Sequence, residues 1–137
     1  MTLKINKEPC SYNLTNQFVE ILTKETGHTM KNPTRAITLN FRDPSYSAAT
    51  GGFHPVEIRI NSNVEIEYIT DFCYVGQPPF SELTKELDFD FLNQCFFQLF
   101  KGEYPIDAGA ELFEIWQTNF VSYVSMSVFE ITVTFDS

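Results

Sequence analysis

With 137 residues the chain is long enough to bury its own core, and it is read as a single domain spanning residues 1–137. Eighteen acidic against nine basic residues give a net charge of -9, which repels phosphate backbones and anionic bilayers; the expectation is therefore no nucleic acid, no membrane, and a protein partner with a basic surface. Cys10, Cys73 and Cys95 are too few and too far apart for a disulfide framework or a CxxC pair, and no stretch reaches signal-peptide or bilayer-spanning length, so a cytoplasmic location is the default.

In chain order, a short arm leads to a helix predicted from about Asn13 to Thr26. Leu14, Phe18, Ile21 and Leu22 form its apolar stripe, Ser11 or Asn13 is the expected cap, and Gly27 the left-handed stop. A polar loop around Asn32-Pro33 follows. Arg35 to Phe41 then alternates as a strand, with Ile37, Leu39 and Phe41 on one side, until Asp43-Pro44 breaks it.

Gly51 and Gly52 permit a tight, positive-φ approach to the next strand. They match no phosphate-binding pattern, and a strand follows them where an anion site would need a helix. Val56, Ile58 and Ile60 alternate with Glu57, Arg59 and Asn61. After Asn61-Ser62-Asn63 the even residues from Val64 to Tyr74 again share one side. Matching the apolar faces predicts a three-residue loop with Ile60 opposite Val64, Arg59 opposite Glu65 and Glu57 opposite Glu67.

From Ile69 the wet row turns apolar, and Ile69, Cys73 and Val75 enclose Asp71. The ordinary account of Asp71 is a carboxylate that accepts hydrogen bonds from backbone amides or a tyrosine hydroxyl. The functional account is a general acid or base beside His54. His54 precedes a proline at a strand start, where a turn role competes with catalysis. Cys73 lacks the neighbours of an activated thiolate.

After the Gly76–Pro79 turn the segment from Ser81 to Lys85 is ambiguous. Leu87, Phe89 and Phe91 then face inward, with Glu86, Asp88 and Asp90 outward, and a turn at Leu92-Asn93-Gln94 stacks Cys95, Phe97 and Leu99 on them. Asp88 and Asp90 share a strand face at a spacing of about 7 Å, but no third or fourth ligand is identifiable, so they read as a solvated or partner-docking surface. A second helix is predicted from Tyr104-Pro105, with Leu112, Phe113, Trp116, Phe120, Tyr123 and Val124 as its core stripe. Val128 to Phe135 closes the chain as a strand. The fourteen phenylalanines are assigned to the core, with an exposed self-association patch as the alternative.

The sum is an α+β fold: a twisted, largely antiparallel sheet of about six strands, with two main helices on one face. Glu57, Glu65, Glu67, Glu86, Asp88 and Asp90 are expected on the other. The function predicted from this pattern is an acidic protein-interaction or scaffold module, able to form a homo-oligomer. The alternative is a small enzyme or ligand-binding protein with a site near His54 and Asp71. No cofactor, metal or catalytic set is assigned; His54, Asp71, Glu86, Asp88 and Asp90 are the site candidates.

Gly51-Gly52-Phe53-His54-Pro55-Val56-Glu57, Tyr68-Ile69-Thr70-Asp71-Phe72-Cys73-Tyr74, Leu87-Asp88-Phe89-Asp90-Phe91 and Glu111-Leu112-Phe113 with Trp116-Gln117 and Asn119-Phe120 resemble a bacterial family of unknown function. The family occurs in Vibrio- and Shewanella-like bacteria, including on a Vibrio pathogenicity island. The resemblance implies a fold like that of the human mitochondrial acidic protein p32, a twisted antiparallel sheet that oligomerises and binds protein partners. It implies no catalytic residues. The chain lacks the long acidic loops and extended terminal helices of p32-like proteins.

Overall fold

The computed structural model describes residues 5–7, 10–27, 35–77 and 79–136, so the Asn32-Pro33 loop and Pro78 lie outside the described residues. Helix α1 spans Asn16–Gly27 and buries Phe18, Leu22 and Thr26. Its cap is Thr15, whose hydroxyl accepts the Phe18 N–H at 3.2 Å, rather than Ser11 or Asn13. The residues before it are tied down by Gln117, which accepts the Thr15 N–H and donates to the Asn13 carbonyl. Gly27 is the last helical residue and has no positive φ.

Seven antiparallel strands form one sheet: β1 Ile37–Arg42, β2 Val56–Ile60, β3 Ile66–Val75, β4 Glu82–Asp90, β5 Cys95–Gln98, β6 Gly102–Pro105 and β7 Glu130–Phe135. Their order is β6-β5-β4-β3-β2-β1-β7, so the last strand lies beside the first. The strand beyond the expected six is β6, in the place where a helix was predicted to begin. Phe100 and Gly102 at positive φ turn the chain back on β5, and Pro105 is tolerated because β6 is an edge. A 3-10 turn at Ile106–Gly109 follows, and α2 runs Ala110–Ser125. Gly109 belongs there because a Cβ would fall 2.6 Å from the Tyr12 hydroxyl and 2.7 Å from the Phe96 ring.

The two hairpin registers differ from the simple alternation. Ile60 pairs with Ile66 but Arg59 pairs with Tyr68, so Glu67 is an extra residue, a β-bulge. Glu57 therefore lies opposite Thr70. From that point Ile69 and Asp71 face the core, while Tyr68, Thr70, Phe72 and Tyr74 turn to the opposite face, contrary to the prediction. The turn from Phe91 to Gln94 is one residue longer than predicted, with Gln94 at positive φ, and sets Phe89 opposite Phe96 instead of Phe97.

Both helices cover one sheet face. Phe18 meets Phe113, Trp116 and Phe120 edge-on, Phe41 packs against Phe120, and Phe89 packs against Phe113 and Phe96. Burying each such ring contributes about 1.5–3 kcal/mol. Phe80, Phe100 and Phe135 depart from the core assignment, 84%, 88% and 39% exposed, and Phe72 lies on the opposite sheet face. Among the described residues no helix is long and apolar enough to cross a membrane.

Candidate functional site

The loop between β1 and β2 is built on Asp43. Its Oδ1 accepts the Ser45 amide at 2.9 Å and hydroxyl at 2.6 Å, and its Oδ2 accepts the Phe53 amide at 3.0 Å. These bonds hold its carboxyl pKa below the ordinary value, the Ser45 hydroxyl most of all. Gly51 and Gly52 take the positive φ values that their sequence permits. The result is a short rigid lead into β2 that ends at His54.

His54 and Asp71, which no spacing in the sequence joins, are in contact: Nδ1 of His54 lies 3.0 Å from Oδ1 of Asp71. The other Asp71 oxygen accepts the indole N–H of Trp116 at 2.9 Å. Neither backbone amides nor a tyrosine supplies the partners of this buried carboxylate; a histidine and a tryptophan do.

Glu86 is brought to the same place by a second bulge. Asp71 pairs with Leu87 and Phe72 with Lys85, which leaves Glu86 as the extra residue of β4 and turns it toward the helix-covered side with Leu87. The predicted outward direction of Glu86 is therefore corrected. Its Oε2 lies 2.6 Å from His54 Nδ1 as an ion pair, and this oxygen atom is buried although more than a third of the side chain is exposed. The Asp71 hydrogen bond is the largest influence on His54 and raises its pKa; burial opposes this, and the charges of Asp71 and Glu86 add to the rise. Burial first, then the charges of Glu86 and Asp71, raise the Cys73 thiol, which is the reverse of nucleophile activation.

The three side chains form the polar wall of a cavity of about 300 Å³. Leu87, Leu112, Trp116, Phe120, Tyr123 and Phe129 supply apolar wall. Such a volume is at the lower end of ligand sites, which run roughly 300–1,000 Å³. Chemically the wall can hold a cation between two carboxylates. In the tautomer that donates Nδ1–H to a carboxylate, Nε2 of His54 is left able to accept a proton.

Asp88 and Asp90 do not join this site. Asp88 accepts the Thr70 hydroxyl at 2.8 Å, and Asp90 accepts both the amide and the side chain of Asn93. On the same face Arg59 bridges Glu67 and Asp136, and Tyr68 donates to Glu57. Much of the acidic face is thus engaged by protein donors. Sequence reasoning missed Trp116 as a partner of Asp71, since its place in an aromatic helix stripe reads as core. It also missed the turn of Glu86, for which Lys85 in the inward row of Leu87 and Phe89 was the available signal.

Residues 14–134 match the family described as protein of unknown function (DUF2787). The chain belongs to this family. A solved structure of the hypothetical protein VC0508 from the VSP-II pathogenicity island of Vibrio cholerae is 38% identical, with a TM-score of 0.79, over 90% of this chain and 95% of that one. The conserved hypothetical protein VC1805 from pathogenicity island VPI-2 of Vibrio cholerae O1 biovar eltor is 40% identical, with a TM-score of 0.71 over the same shares. VC1805 is described as sharing structural homology with the human P32 protein. No curated protein matches the chain.

Proposed function

We propose that this member of the family is a ligand-binding protein whose site is the cavity beneath α2. The observation that carries the reading is the convergence of His54, Asp71 and Glu86 on one wall of a largely apolar cavity. Asp71 is mostly buried while His54 and Glu86 are each more than a third exposed, so the three ionisable groups line space that a solvent-borne ligand can reach. The ligand is a small molecule with an apolar body of about one ring and a polar end that meets these groups.

Trp116 is the chain's single tryptophan and lines the cavity, so its emission reports occupancy. Titration with phenylpropylamine, phenylpropionate and propylbenzene should give a saturable change with at least one of them, weakened when Leu112→Phe fills the space. A folded protein that responds to none of the three ends this reading.

A second reading, the acidic protein-interaction module and homo-oligomer, is supported by the net charge of -9 and by the likeness to a structure described as homologous to human P32. It predicts self-association in sedimentation and retention of a defined lysine-rich peptide that salt releases. A monomer at all concentrations with no salt-sensitive retention removes it.

A further inference from the structure

Two carboxylate oxygens compete for one proton. Asp71 Oδ1 at 3.0 Å and Glu86 Oε2 at 2.6 Å both crowd Nδ1 of His54, and a ring N–H can satisfy only one of them. The Glu86 oxygen is itself buried and is held by its charge contact with His54, so the imidazole is shared between two carboxylates. A divalent cation in the place of that proton would bind all three atoms at once. Bonds of about 2.1 Å meeting at right angles set neighbouring donors about 3 Å apart, close to the 3.0 and 2.6 Å that separate His54 Nδ1 from the two carboxylates.

We propose that His54, Asp71 and Glu86 bind a divalent transition-metal cation of the zinc and manganese class, with open coordination positions facing the cavity. This rests on the reading of that cavity as a ligand site. One imidazole nitrogen and two carboxylates suit these metals, and the donor atoms lie within 4.8 Å of one another. The three donors come from separate elements: the loop closed by Asp43, strand β3 and the bulge of β4. Asp71 is presented through one oxygen because Trp116 holds the other, the second-sphere contact that fixes a metal-binding carboxylate. Asp88 and Asp90 form the contrast, since protein donors already engage them.

The cation also sets the ligand class. Two carboxylates and a neutral imidazole around a divalent ion sum to zero, so the metal removes the negative charge that favours an amine and its open position can coordinate a carboxylate.

Chelator-treated full-length protein is titrated with ZnCl2 and MnCl2 by calorimetry, and bound metal per chain is counted after equilibrium dialysis. One equivalent is expected, with Glu86→Gln and His54→Gln each weakening it at least 10-fold, and with the Asp88→Asn, Asp90→Asn double variant unchanged. Glu86→Gln keeps the size of the side chain, and its near-UV circular dichroism verifies the fold. Bound Co2+ should quench Trp116 emission, and Zn2+ should tighten phenylpropionate binding while weakening phenylpropylamine. No binding by folded protein, or binding that Glu86→Gln and His54→Gln leave intact, overturns the proposal. If the metal fails while a probe still fills the cavity, the metal site alone is lost; if both fail, so is the ligand site.

Discussion

The indole N–H of Trp116 reaches across 2.9 Å to Oδ2 of Asp71 and so ties the middle of α2 to the middle of β3. Trp116→Phe keeps most of the ring but strands a buried carboxylate oxygen. It should cost about 1–3 kcal/mol in urea unfolding, and it should weaken occupancy of the cavity wall more than an equally destabilising core change elsewhere. Equal effects on both would make the contact purely structural.

Gly52 has a φ of +136°, and a Cβ there would fall 2.9 Å from Asp43 Oδ2 and 3.0 Å from the Tyr46 backbone. Gly52→Ala should destabilise by about 1–3 kcal/mol. Because the same loop carries His54, the histidine ring resonances should shift in NMR spectra. An alanine variant with wild-type stability and an unmoved ring would contradict this account.

The Asp43 carboxyl has a folded pKa below its ordinary 3.8, chiefly through the Ser45 hydroxyl, then the Phe53 and Ser45 amides. A depressed carboxyl pKa stabilises the fold above the unfolded value, and that contribution is lost as pH falls through the folded value. The deficit of Asp43→Asn, measured as a urea midpoint, should thus be full at pH 6 and shrink below about pH 3.8. A deficit constant down to pH 3 would show that the charge is irrelevant.

Phe18 is fully buried and touches Phe113, Trp116 and Phe120. Phe18→Ala should cost about 3–5 kcal/mol, visible as a lower melting temperature with retained helical circular dichroism at low temperature.

Phe100 is exposed and sits at φ 67° in the β5–β6 turn. Phe100→Gly should stabilise the monomer by about 0.5–1 kcal/mol by relieving left-handed strain, and should also reduce self-association if the ring is a contact. A less stable glycine variant would mean the ring packs on something in solution.

What the sequence made legible was periodic. The helix stripe of Phe113, Trp116 and Phe120 and the alternation of Ile37, Leu39 and Phe41 are direct records of burial, and they appear as predicted. The enclosure of Asp71 could be read from Ile69 and Cys73 on either side. Its partners could not, because Trp116 lies 45 residues on and a helix stripe does not say which polar atom its indole will find. The registers failed for a physical reason. Tyr68, Thr70, Phe72 and Tyr74 are as suited to the outer face of a sheet as to its core, so parity alone could not reveal the bulge.

Strand pairing with an inserted residue behaves like a reading frame. Glu67 adds one position to β3 and contributes no atom to the cavity, yet everything downstream is read from it. Were Glu67 taken up as an ordinary ladder position, plain alternation from Ile66 would send Tyr68, Thr70 and Phe72 inward and turn Ile69 and Asp71 out to water, whereas deleting Glu67 would leave Ile66, Ile69 and Asp71 on the core face. The cavity wall can therefore be abolished by a change of pairing at a distance, with His54, Asp71 and Glu86 all still present in the chain.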